Sequence, residues 1–254
     1  MCVQYEGRGY AGWQRQPDRP SVQAALESAL SAVAGKAVQV HCAGRTDSGV
    51  HAFAQIASFD TDARRSPRAW VLGTNSNLPD AVSLSWAQAV PEAFDARFSA
   101  QARRYRYLIW NDAARAGLLA GRATWVTWPL DVDAMHEAAQ VLRGEQDFSA
   151  FRAAECQSRT PMRCVFEVKV WRQGAFVVTD IRANAFLQHM VRNIVGSLVE
   201  VGRGRRPAAW LSAVLRGGDR RQAGPTAAPD GLYFVGPEYA STWGLPALPE
   251  PWLP

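Results

Sequence analysis

The sequence predicts an α+β fold. Two observations carry that expectation: short alternating or apolar runs that read as strands are interspersed with stripes at helical spacing, and in the first half they follow the order strand, helix, strand, strand, helix, strand. A βαββαβ order of this kind is that of a ferredoxin-like unit. At 254 residues the chain can form one large or two moderate domains, each big enough for its own core, and residues 1–100 and 101–254 are the expected halves.

In the first half, Cys2 to Tyr5 is apolar and extended. Ser21 can cap a helix whose Ala25, Leu26, Ala29, Leu30 and Val33 form one stripe, and Val38 to Cys42 alternates as a strand does. Gln55 to Phe59 alternates again, Pro67 with Trp70 to Leu72 opens a second helix, and Val82, Leu84 and Trp86 mark a strand. The second half repeats the logic with longer loops. Arg103 to Trp110 reads as a strand, Met135, Ala138, Ala139 and Leu142 line a helix face, and Val165 to Trp171 with Phe176 to Ile181 form a hairpin around Gln173-Gly174. The most periodic helix follows, with Leu187, Met190, Val191, Ile194, Val195, Leu198 and Val201 on one side and Gly202 as its stop. Pro207 then opens a short helix, and Tyr233 to Tyr239 is the closing strand.

The formal charge is +5, as expected of a protein that meets a polyanion. Lysine occurs only at Lys36 and Lys169, and an arginine-rich, lysine-poor composition is also what a G+C-rich genome yields, so the positions of the arginines say more than their number. Arg103, Arg104 and Arg106 interleave with Tyr105 and Tyr107 along one strand. No apolar run is long enough to span a bilayer and no charged-then-apolar leader opens the chain, so a cytoplasmic protein without membrane partners is expected. Cys2, Cys42, Cys156 and Cys164 contain no C-x-x-C pair, which favours reduced, buried thiols over a metal cluster or disulfide framework.

The most informative stretch is Cys42-Ala43-Gly44-Arg45-Thr46-Asp47-Ser48-Gly49-Val50-His51-Ala52. Two glycines bracket an arginine and an aspartate, permitting positive φ and close approach of another backbone or a ligand. Arg45 and Asp47, two apart, face the same side of an extended chain, so a carboxylate is presented beside a guanidinium. Taken alone, such a loop is most simply an Asx-type turn.

The stretch closely resembles the active-site motif of the tRNA pseudouridine synthase A family, in which the aspartate of G-R-T-D-x-G-V-H-A is catalytic. The resemblance continues in order through Tyr5-Glu6-Gly7 with Tyr10-Ala11-Gly12-Trp13-Gln14-Arg15-Gln16, then Phe98-Ser99-Ala100 with Arg103 to Tyr107, then Phe148 to Phe151 and Cys156 to Thr160, then Phe186 to Gly196, and Gly231-Leu232-Tyr233. Glu6 stands where an aspartate is usual, and Ser48 where an alanine is. Met1 stands about where the family's first strand is already running, which implies either that a few residues are missing ahead of it or that the start codon is misassigned.

What the resemblance implies is an α+β pseudouridine synthase fold: two ferredoxin-like halves side by side in one extended, mostly antiparallel sheet, helices on one face and an RNA cleft across the other. The first half would carry the catalytic aspartate loop and the second would complete the cleft. The implied reaction isomerises uridine to pseudouridine at positions 38, 39 and 40 of the tRNA anticodon stem-loop, in a homodimer. It breaks the N1 to C1′ bond, turns the uracil and rejoins it through C5, and needs no metal or other cofactor. It does need an ionised carboxylate at the sugar, to attack C1′ or take a proton from C2′, and Asp47 is the candidate.

Three residues carry further implied roles. Arg192, off the apolar stripe of its helix, resembles the arginine that pairs with the catalytic aspartate, and a guanidinium so placed favours and orients a carboxylate. Arg45 resembles the residue that fills the stack left by the extruded nucleotide, and Tyr105 the tyrosine that covers the uracil, with its hydroxyl near C5. Without the resemblance, Arg192 and Arg45 read as surface cations and Tyr105 as a core aromatic. Leu232, His51, Gln14, Arg103 and Arg104 are the candidate substrate-binding residues, joined by Arg15, Arg152 and Arg159. His51 and His189 are expected to hydrogen-bond or pack, since no proton transfer in the scheme requires them.

Overall fold

The structure, a computed structural model, describes residues 1–249 and 251. Among them the chain is α+β, with ten strands and five α-helices. Its contacts divide it into two compact units, one of Met1–Gln101 joined by the segment that starts at Tyr233, the other of Ala102–Leu232. Among the described residues no helix is long and apolar enough to cross a membrane.

The first unit runs β1 (Cys2–Tyr5), α1 (Val22–Ala34), β2 (His41–Cys42), β3 (His51–Ser58), α2 (Pro67–Asn75) and β4 (Val82–Trp86), in the expected order. β1 lies antiparallel between β3 and β4, and β10 (Leu232–Tyr239) returns from the far end of the sequence to pair with β3 in parallel. Ser21 caps α1, accepting a hydrogen bond from Ala24 N, and Gly35 at φ 74° ends it. β3 is buried on both faces, so its side chains decide what can lie above and below it.

Val38 to Cys42 is not the strand that its alternation suggests. Only His41–Cys42 pairs with β3. Val38 and Val40 are buried as expected, but their backbone amides are taken by side chains of α1: Val38 N donates to Ser31 Oγ (2.9 Å) and Val40 N to Glu27 Oε1 (3.0 Å). A periodic burial pattern was met without a ladder.

The second unit contains β5 (Ala100–Asn111), β6 (Thr124–Val126), α3 (Val132–Ala139), β7 (Gly144–Asp147), β8 (Met162–Gln173), β9 (Phe176–Ala183), α4 (Met190–Gly202) and α5 (Ala209–Gly217). The expected strand, helix, hairpin and helix are present, with β6 and β7 added at the margins. β6 is three residues long and β7 is largely polar and exposed, so neither has a pattern for periodicity to detect. β5, β9, β8 and β7 pair in succession, all antiparallel. The β8–β9 turn contains Gly174 at φ 58°.

Two details of α4 depart from the periodic reading. The helix begins at Met190, because His189 sits in the left-handed region (φ 61°); Leu187 is buried ahead of it. Gly202 is the last helical residue rather than the stop, and Gly204 (φ 67°) makes the left-handed turn. Gly202 is small for a packing reason: a Cβ there would stand 2.6 Å from the Met135 sulfur of α3.

Candidate active site

The loop bearing Arg45 and Asp47 leaves β2 and enters β3, and the first unit grips it along its length. Ala43 N donates to Ile56 O (2.8 Å) at its start. Next, Gly44 is bonded twice by Gln55, whose Oε1 accepts from Gly44 N (3.3 Å) and whose Nε2 donates to Gly44 O (2.5 Å). The Tyr5 hydroxyl meets Thr46 Oγ1 at 2.8 Å, and Trp13 N donates to Thr46 O (3.0 Å). Ser48 Oγ donates to Tyr10 O (3.0 Å), Val50 N closes a turn on Asp47 O (3.2 Å), and Gly49 takes φ 80°.

The opening segment lies against this loop with no space to spare. A Cβ on Gly12, at φ 95°, would stand 2.6 Å from Thr46 O and 3.0 Å from the Asp47 carbonyl carbon. One on Gly7 would stand 2.0 Å from Val50 O. His51 Nδ1 accepts from Gly7 N (3.0 Å), while its ring stacks on Tyr233 with centroids 4.7 Å apart. His51 therefore joins the loop's exit to the opening segment and to β10.

Inside this frame Thr46 is buried while Arg45 is exposed and Asp47 half-buried. Burial pushes the Cys42 thiol up to about 12 against the opposing pull of the Arg45 and Arg97 guanidiniums. Gln14 follows the Trp13 that bonds Thr46, and its Nε2 donates to Gln23 Oε1 (2.9 Å). Gln23 in turn donates to Glu27, a carboxylate only 4% exposed that also pairs with Arg15. Gln14, Arg15, Gln16, Asp18 and Arg19 line a groove of about 620 Å³.

In the second unit Tyr105 is buried and meets Phe186 edge-on, with centroids 5.0 Å apart and planes at 85°. Tyr107 and Ile109, on the same face by alternation, are core: Tyr107 donates to Ala228 O (2.7 Å) and also meets Thr124 Oγ1 (2.6 Å). Arg103 shares Tyr105's face and donates to Asn184 O (3.0 Å). Arg104 and Arg106 lie on the opposite face, where both pair with Asp180, at 2.7 and 3.0 Å. Sequence neighbours Arg103 and Arg104 thus serve different faces of the sheet.

Arg192 is held by Ala227 from both ends, its Nε donating to Ala227 O (2.8 Å) and its carbonyl accepting from Ala227 N (3.1 Å). The packing beneath allows nothing larger than glycine: a Cβ on Gly196 would fall 1.7 Å from Pro225 O. Asn193, fully buried, accepts from Thr226 Oγ1 (2.7 Å) and Arg220 (3.0 Å). Leu232 is buried directly after Gly231, whose missing side chain leaves room for Leu108 O and the Tyr107 ring. Arg152 donates to Cys156 O and Ser158 O, at 2.6 and 2.8 Å, so it shapes its own loop.

The expected residues fall into two groups. Arg45, Asp47, His51 and Gln14 are built into one grip in the first unit; Tyr105, Arg103, Arg192 and Leu232 belong to the second, and Arg104 faces away from Tyr105. The sequence reading did not single out Gln55, Tyr5 or Phe186 as partners of these residues. A glutamine within the otherwise apolar run from Ala52 to Ala57 was the available signal for Gln55.

The chain matches the family model described as tRNA pseudouridine synthase over residues 1–99 and 138–240, and it belongs to that family. It is similar to tRNA pseudouridine synthase A of Shewanella loihica (strain ATCC BAA-1088 / PV-4), with 54% identity over 248 residues covering 98% of this chain and 95% of that one. It is likewise similar to tRNA pseudouridine synthase A of Pasteurella multocida (strain Pm70), with 53% identity covering 97% and 93%. By family it is an isomerase of tRNA pseudouridine synthesis.

Proposed function

We propose that this enzyme converts uridine to pseudouridine at positions 38, 39 and 40 of the tRNA anticodon stem-loop, as a cytoplasmic homodimer and without a cofactor. Asp47 acts at the sugar, on C1′ or on the C2′ proton, as the glycosidic bond breaks. Arg192 is the cation that pairs with Asp47 and orients it, and Arg45 fills the stack that the target nucleotide leaves, a step that costs a few kcal/mol. Tyr105 covers the uracil with its hydroxyl near C5, and Leu232 walls the pocket. Gln14, His51 and Arg103 are kept on the substrate side, whereas Arg104, expected there from the sequence, is engaged by Asp180 on the opposite face of the sheet.

The observation that carries this reading is the grip on Asp47: a half-buried carboxylate on a loop that glycines allow other backbone to approach closely, in a chain alike to tRNA pseudouridine synthase A nearly end to end. The dimer reading is supported by Trp125 and Trp128, large apolar side chains that are 46% and 54% exposed. The test is a carbodiimide primer-stop map of tRNA incubated with and without the protein. Stops confined to 38–40 are expected; stops elsewhere, or free uracil instead of pseudouridine, overturn the assignment.

A further inference from the structure

We infer that Gln55 is a positioning residue for Asp47, acting through the Gly44 peptide, with Tyr5 completing the clamp at Thr46. The inference rests on the proposed role of Asp47. β2 ends at Cys42, and the backbone bonding of this segment to β3 ends one residue later with Ala43 N on Ile56 O, just before Gly44. From there onward a side chain replaces the strand. Gln55, fully buried on β3, presents one acceptor and one donor to the amide and carbonyl of Gly44.

A carboxamide suits this task because it is neutral and carries both hydrogen-bonding senses on one plane. A buried carboxylate would bring an unwanted charge and no donor, and an aliphatic side chain would leave the Gly44 peptide without its partners. The Tyr5 hydroxyl extends the clamp one residue beyond Arg45 by bonding Thr46 Oγ1 at 2.8 Å. Burial pushes the Tyr5 phenol well up, so the hydroxyl stays neutral and keeps its bond to Thr46 Oγ1.

The clamp fixes Gly44 and Thr46, the two residues that flank Arg45, and Thr46 is covalently joined to Asp47. With Thr46 drawn inward, its neighbours Arg45 and Asp47 are turned outward in the alternation of an extended chain. Displacing a reacting group by about 1 Å is enough to cost on the order of 100-fold in rate. Gln55 and Tyr5 touch neither substrate nor the reacting atoms, and their loss should therefore move turnover rather than binding.

The test compares Gln55→Met, which keeps the volume and removes both bonds, with Tyr5→Phe, which removes one hydroxyl, and with Asp47→Asn as reference. Steady-state kinetics on an anticodon stem-loop should give a kcat roughly 10- to 100-fold lower for Gln55→Met and several-fold lower for Tyr5→Phe. KM and the stem-loop Kd should stay within twofold in both. The double variant should lose less than the product of the two, because the residues act through one clamp. If kcat survives in both variants, or if KM rises in step with kcat's fall, the inference is overturned. If Gln55→Met does not melt cooperatively, Tyr5→Phe decides by the same criteria. An active Asp47→Asn would instead overturn the role of Asp47, whatever the other two variants do.

Discussion

Arg104 donates through Nε to Asp180 at 2.7 Å, across the β5–β9 pair and on the side of the sheet away from Tyr105. Asp180 is nearly buried and takes Arg106 as well, so the two arginines are engaged in protein structure. Asp180→Ala would leave Arg106, only 13% exposed, without its carboxylate. Removing one partner of a buried pair costs roughly 3–5 kcal/mol; with Arg104 half-exposed, the lower end is expected, read as a lowered melting temperature.

The same geometry separates Arg103 from Arg104 in RNA binding. Removing a cation that neutralises one phosphate reduces the slope of log affinity against log salt by roughly 0.7 to 0.9. Arg103→Ala should show that reduction, whereas Arg104→Ala should leave the slope nearly unchanged. Filter binding of tRNA across a salt series makes the comparison, and the reverse order would put the RNA on the Arg104 face.

Asp47→Asn should abolish pseudouridine formation and spare tRNA affinity. The substitution removes an attacking group or base while preserving shape, and loss of such a group typically costs several orders of magnitude. Turnover above a tenth of the unaltered enzyme would assign the chemistry to another residue.

Tyr105→Phe should keep the stacking plane, worth roughly 1–3 kcal/mol per base at other RNA sites, and remove the hydroxyl. Tritium release from 5-tritiated uridine should slow while glycosidic cleavage continues. Equal release by both proteins would leave Tyr105 as a stacking surface alone.

Gly12→Ala should be costly out of proportion to its size. The position needs φ 95° and has Thr46 O at 2.6 Å from any Cβ, so strain of roughly 1–3 kcal/mol is expected together with a shift of the Asp47 loop. A lower melting temperature and a kcat loss should appear together; an unshifted kcat would mean that the loop holds its place without the opening segment.

The cysteines should label in a set order. Burial pushes Cys2 up to about 11 and Cys42 up to about 12, so at pH 8 the Cys42 thiolate is about one part in 10,000, rising tenfold per pH unit until about 12. Burial also raises Cys156, but the amides of Ser158 and Gln188 and the Arg152 charge outweigh it and bring its thiol below the ordinary value. Iodoacetamide followed by peptide mass spectrometry should find Cys156 modified before Cys2 and Cys42.

Helices and long strands were legible because each repeats a local rule many times: Ser21 as a cap, alternation along Arg103 to Trp110, a stripe along α4. What escaped was set by partners distant in sequence. Val38 and Val40 alternate like a strand, yet Ser31 and Glu27 had to be in place to show that helix side chains take their amides. Gly202 looked like a stop because glycine usually is one, and only the Met135 sulfur reveals a packing constraint. The loop bearing Asp47 could be found from its motif, but not the means by which Gln55 and Tyr5 hold it. A hydrogen bond between residues 11 or 41 apart leaves no periodic trace.

The pairing of β10 with β3 also sets an order of events on the ribosome. β3 ends at Ser58 and its parallel neighbour begins at Leu232, so at about 5–20 residues per second the partner strand is made roughly 10–35 s later. Through that interval His51 lacks the Tyr233 ring on which it finally stacks, and the His51–Ala52 end of β3 waits for its parallel partner. The nascent chain thus carries the segment with its catalytic candidate long before Tyr233 can close on that segment's exit at His51, so competence for RNA should arrive abruptly, with β10, the last strand of the described residues.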